Sequence, residues 1–164
     1  MSGQDHTEAE PVNARIFPIP PVVAGLFLAA GLALGYFTPL PPEAGAVPLE
    51  ARIGGGLILA CAGAIAGLAF LQMRRARTTF HPGHKANALA AGGIFRRTRN
   101  PMYLSLTLIL LGLGVAMSNG WLILLAPLLL LYLQERVVKR EEAYLTQRFG
   151  AEYEAYRRKT RRWI

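Results

Sequence analysis

Arg96, Arg97 and Arg99 stand directly before an Asn100-Pro101 pair and Tyr103, and an apolar run follows at once. Asn is a favoured N-cap, and Pro suits the first helical position, where its missing N–H costs nothing. A helix begun this way turns unpaired N–H groups and the positive end of its dipole toward the arginines. Such a corner suits an anion, a carboxylate or a phosphate. The structural alternative is that the three arginines mark only the end of a membrane helix. Later in the chain Glu141 and Glu142 form an acidic pair next to Lys139 and Arg140. Taken alone they read as a solvated face with local ion pairs.

The elements that would position these residues are mostly apolar helices. Residues 1–15 are polar, carry Asp5, Glu8 and Glu10, and read as a disordered tail without the basic start of a signal peptide. Ile19 to Phe37 and Ala51 to Met73 are apolar runs within the segment 16–73, each long enough to cross ~30 Å of hydrocarbon as a helix. Gly31/Gly35 and Gly63/Gly67 give both runs a Gly-x-x-x-Gly spacing, read here as helix packing. Met102 to Met117 and Trp121 to Leu133 are two shorter runs, and Ser118-Asn119-Gly120 between them predicts a tight helical hairpin with Trp121 at the far interface. Leu145, Phe149, Tyr153 and Tyr156 fall on one helical face if a single helix persists, whereas Gly150 could end one helix before another begins. The fold class is therefore all-α: a polytopic membrane protein of about four transmembrane helices, with a polar connection from Arg74 to Asn100 and an amphipathic C-terminal tail.

Charge sets an orientation. Seven basic residues lie between the second and third runs and nine follow the fourth, together sixteen of the 18 in the chain. Four crossings put both regions on one side, and the excess of positive charge makes that side the cytoplasm, with both termini in it. The net charge of +8 thus reflects orientation and attraction to anionic lipid rather than nucleic acid. A composition of 52% hydrophobic and 17% charged residues fits a small multi-pass cell-membrane protein. Cys61, alone inside an apolar run, reads as packing, and His81-Pro82-Gly83-His84 lacks the helical spacing and further ligands of a metal site.

Leu89, Gly93 and Phe95, then Arg99-Asn100-Pro101-Met102-Tyr103, then Glu141-Glu142-x-x-Leu145, then Phe149-Gly150-x-x-Tyr153-x-x-Tyr156 and a closing Arg162-Trp163-Ile164 form a combined pattern. It resembles the isoprenylcysteine carboxyl methyltransferase family, integral membrane enzymes related to phospholipid N-methyltransferases. The resemblance runs from near Phe80 to the end of the chain; the first two helices carry no motif of it. It implies S-adenosylmethionine as cofactor and makes 74–164 the cofactor-binding, catalytic region. Carried over by motif, the cofactor contacts fall on Asn87, Ala88, Leu89, Ala90, Phe95, Asn100, Pro101, Met102, Tyr103 and the Glu141–Glu142 pair. Eukaryotic members have His where Asn100 stands and Gly where Ser105 stands; Asn cannot titrate, so no proton shuttle is expected there. They also place an arginine where this chain has Val137, and the flanking Arg136 becomes the candidate substrate-side contact.

The chemistry of the donor suits these residue types. Arg99 and the helix start would hold its carboxylate, Glu141 would accept from a ribose hydroxyl or the ammonium, and Phe95 or Tyr103 would border the adenine. Methyl transfer to an oxygen or sulfur needs alignment and exclusion of water more than a strong base. The expected acceptor is an amphipathic small molecule or lipid that enters from the bilayer, prenylcysteine-like or otherwise, methylated at a carboxylate or thiol. Two other classes remain open: a membrane reductase of the sterol-reductase type that uses NADPH, and a non-catalytic lipid-binding membrane protein.

Overall fold

The computed structural model describes residues 19–40, 47–76 and 89–164. Every regular element among them is helical: α1 Pro20–Phe37, α2 Leu49–Arg75, a 3₁₀ turn Gly93–Arg96, α3 Pro101–Ala116, α4 Gly120–Leu133, a π-helical turn Gln134–Val138, α5 Lys139–Phe149 and α6 Ala151–Lys159. The expectations for residues 1–15, His81, His84, Asn87 and Ala88 lie outside the described residues.

Among the described residues, three helical stretches are long and apolar enough to cross a membrane: α1, α2, and the continuous helix that begins with α4. The chain is an all-α, polytopic membrane protein. Its outward faces explain why. Val22, Leu26, Leu57, Leu68, Phe70, Leu124 and Leu131 are exposed, and an apolar surface of this extent is stable in lipid rather than in water. α3 is the shorter apolar helix, 16 residues or about 24 Å. Its neighbours compensate, for α3 packs between α2 and α4 and buries Pro101, Tyr103, Leu104, Ser105, Thr107, Leu110, Gly112 and Gly114.

Small residues set how closely these helices approach. A β-carbon at Gly55 would sit 2.4 Å from the Ala116 amide nitrogen, so α2 and α3 touch backbone to backbone there. At Gly31 it would meet the Leu122 side chain at 2.3 Å, and Gly35 meets Asn119, which seats α1 on α4. The packing expected of Gly31/Gly35 is therefore present. Gly63 and Gly67 differ: open space surrounds both, because that face of α2 points away from the bundle.

The hairpin between α3 and α4 forms as expected. Ser118 takes φ 51°, and the Asn119 side chain caps α4 by accepting from the Leu122 amide at 3.0 Å. The Asn119 amide also donates to the Gly31 carbonyl, and Trp121 donates to the Thr38 carbonyl at 2.7 Å, which ties α1 to the hairpin at this end. At the other end α4 continues through the π turn, whose wider winding lets the adjacent Val137 and Val138 both face the core. Gly150 at φ 52° then separates α5 from α6, so the single face proposed for Leu145 to Tyr156 is broken at Gly150.

Candidate functional site

Local sequence explains how the corner before α3 is built. Gly92 and Gly93 pack against the Gln72 side chain near the end of α2, which holds the 3₁₀ turn against that helix. The chain then reaches Thr98, Arg99 and Asn100 before Pro101 opens α3. Asn100 stands at the N-cap position, yet its side chain makes no capping bond. Its amide donates instead to the Arg162 carbonyl at 3.1 Å, so the expected cap is corrected. The reason is competition: the returning C-terminal segment offers a carbonyl oxygen, and the start of α3 is left without a side-chain cap.

That returning segment closes the corner. The Arg99 amide donates to the Arg161 carbonyl at 3.0 Å, and the Thr98 hydroxyl donates to the Arg162 carbonyl at 3.1 Å. Trp163 donates from its indole to Gln134 Oε1 at 2.9 Å, anchoring the segment to the π turn. Tyr156 of α6 donates to the Phe95 carbonyl at 2.7 Å.

The acidic pair splits between two environments. Glu141 Oε2 accepts from the Tyr103 hydroxyl at 2.9 Å, so α5 and α3 are bonded through the first glutamate. Glu142 is buried and takes Arg162 as a two-point partner, Nε to Oε1 at 2.9 Å and Nη2 to Oε2 at 2.7 Å. Arg99 Nη2 reaches the same Oε1 at 3.2 Å, and the side chains of Arg99 and Glu142 are each only 10% exposed. Arg99 and Arg162 thus share the single carboxylate of Glu142, with the Arg162 side chain 32% exposed. Arg99 Nε and Nη1 are buried with no hydrogen-bond partner among the described residues. Glu142 holds the Arg162 proton more firmly than usual. The Tyr153 phenol is pushed up to about 12, chiefly by burial and further by Glu142, against the pull of Arg99, and it stays a neutral hydroxyl.

Of the residues expected from sequence, Arg99, Asn100, Pro101, Tyr103, Glu141 and Glu142 meet at this corner, and the Phe95 carbonyl joins it through Tyr156. Leu89, Ala90 and Met102 are half-buried. Arg136 is exposed on the π turn and takes no part in the Arg99–Glu142–Arg162 ion pairs. Arg162 and Thr98 were not among the expected site residues. Their partners lie more than sixty positions away or across the break at Gly150, and no spacing rule reaches that far.

A family model described as phospholipid methyltransferase matches residues 51–152. The chain belongs to the phospholipid methyltransferase family. The match takes in α2, which carried no recognisable motif, as well as α3, α4 and α5, and it ends at residue 152, before the Arg162 side of the ion cluster. The chain is also 41% identical over 63 residues to an uncharacterized protein of Haemophilus influenzae, covering 38% of this chain and all of that protein. No solved structure matches. The family points to a membrane methyltransferase, which agrees with the helices that can cross a bilayer.

Proposed function

We propose that this member of the phospholipid methyltransferase family transfers a methyl group from S-adenosylmethionine to a lipid-like or prenylcysteine-like acceptor, at a carboxylate or thiol. One observation carries the reading: a buried Arg99, whose Nε and Nη1 have no hydrogen-bond partner among the described residues, stands beside the uncapped start of α3. A buried unsatisfied donor costs ~1–3 kcal/mol, and an anionic ligand would relieve that cost. The donor's carboxylate fits this requirement.

When bound, S-adenosylmethionine supplies an electrophilic methyl group. The protein's part is positioning. Arg99 and the first turn of α3 would bind the carboxylate end. Glu141, held by Tyr103, would accept from the ribose or the ammonium, while Phe95 would border the adenine. The acceptor would approach from the bilayer side, where the helix faces are apolar, and its nucleophilic atom would need alignment with the methyl and shelter from water. The half-buried loop residues Leu89 and Ala90, and Arg136 on the acceptor side, complete the proposed contacts.

The test has two steps. The purified protein is titrated with S-adenosylhomocysteine and separately with NADPH; binding of the first and not the second is expected, and the reverse would favour a reductase. Membranes are then incubated with methyl-labelled S-adenosylmethionine. Label released as methanol by base identifies an ester, whereas base-stable label in phospholipid would replace the carboxylate or thiol acceptor with a headgroup amine.

A further inference from the structure

We propose that Arg162 is a positioning residue that acts through Glu142 to keep Arg99 open toward its ligand, with the backbone of Arg161 and Arg162 clasping the segment Thr98–Asn100. The proposal rests on the methyl-donor reading above but concerns residues beyond the family match, which ends at residue 152.

Consider the carboxylate that the two arginines share. Arg162 occupies both oxygens of Glu142 in a two-point pair, at 2.9 and 2.7 Å. Arg99 thereby meets Glu142 through a single contact, Nη2 to Oε1 at 3.2 Å, and also interacts with the Tyr153 side chain, while Nε and Nη1 stay uncommitted. A planar guanidinium and a free carboxylate prefer the two-point arrangement. Remove Arg162, and nothing prevents Glu142 from turning to grip Arg99 with both oxygens. The same N–H groups that the ligand would use would then be spent on Glu142. Arg162 thus works by occupying a carboxylate that would otherwise capture its neighbour.

The backbone contacts serve the same end. The Arg161 carbonyl accepts from the Arg99 amide at 3.0 Å, and the Arg162 carbonyl accepts from both Thr98 and Asn100 at 3.1 Å. These three bonds fix the chain on either side of the Arg99 side chain. Trp163, bonded to Gln134, sets where the clasp lands.

The experiment measures S-adenosylhomocysteine affinity by calorimetry for wild type, R162Q, E142Q and the double variant, with amide hydrogen exchange on each. R162Q should weaken binding about tenfold although Arg99 is intact, a loss on the scale of one charge-assisted hydrogen bond. Because the effect passes through Glu142, the losses of R162Q and E142Q should combine to clearly less than their product, and R162K, which restores charge without the fork, should recover only part. Exchange at the Arg99 amide should rise in R162Q without donor present. A merely structural Arg162 would give independent losses that multiply and no dependence on Glu142; that result, or unchanged affinity in R162Q, overturns the proposal. W163F provides a second measurement: it removes the bond to Gln134 but leaves the ion cluster, so exchange at Arg99 should rise with a smaller loss of affinity. Wild type that binds no S-adenosylhomocysteine overturns the methyl-donor reading and this role with it. Wild type that binds while R162Q binds equally overturns only the role of Arg162.

Discussion

Arg99 joins a buried glutamate that already has a partner, and this determines what its loss should do. In Arg99→Ala, Glu142 retains its two-point pair with Arg162, so the helices should stay folded. S-adenosylhomocysteine affinity should fall by about 10- to 100-fold, the worth of a charge-assisted contact of ~1.5–3 kcal/mol, and calorimetry that finds no change would refute the carboxylate role. Tyr103 and Glu141 separate stability from binding. Tyr103→Phe removes the donor to a half-buried carboxylate and should lower the thermal midpoint in detergent, at a cost of ~1–3 kcal/mol. Glu141→Gln keeps an oxygen that can accept from Tyr103 but loses the charge, so its folding should survive while donor binding weakens. The motif pattern made Arg99, Asn100, Tyr103 and the acidic pair legible as candidates. It did not show that Asn100 would donate to the Arg162 carbonyl instead of capping α3, because that acceptor arrives from sixty-two residues away.

Between helices, the question is which small residues carry close contacts. Gly55→Ala would drive a β-carbon into the Ala116 backbone, which cannot yield as a flexible side chain can. It should destabilise by several times the ~0.5–1 kcal/mol that Ala gains over Gly inside a helix. Gly63→Ala, in open space, should be neutral or slightly stabilising, and detergent melting of the two variants tests the contrast. In sequence the pair Gly63/Gly67 looks no different from Gly31/Gly35, since a spacing rule records that a close approach is possible and not which side of the helix meets a partner. The apolar runs, by contrast, gave the helix positions to within a few residues: Ala51 to Met73 was expected and Leu49–Arg75 forms. The hairpin at Ser118-Asn119-Gly120 was readable because its turn chemistry is local. The π turn was not, because its extra residue is fixed by how Val137 and Val138 pack against other helices.

Over the whole molecule, the basic connection and the basic tail meet at one end, bonded through the Arg99 amide and the Arg161 carbonyl. The Pro39 and Trp121 end lies opposite along α1 and α4. Positive charge gathered at one end predicts that this end faces the cytoplasm. With Cys61 replaced by Ala, a cysteine at Pro39 should react with an impermeant maleimide on intact cells, and one at Arg158 should not; the opposite pattern would invert the proposed orientation. The π turn joins α4 to α5 at the basic end, and it sets the phase of everything that follows. Its extra residue is taken up within one wider turn, so the helix beyond keeps its facing. A second extra residue, an alanine inserted after Lys139, would have no wider turn to absorb it and would swing everything beyond by about 100°. The four apolar helices would still insert at wild-type levels, but Glu141 would turn away from Tyr103 and Glu142 from both arginines. Such a lengthened chain should sit correctly in the bilayer yet bind no methyl donor, its anchor and its basic end out of step by a single amino acid.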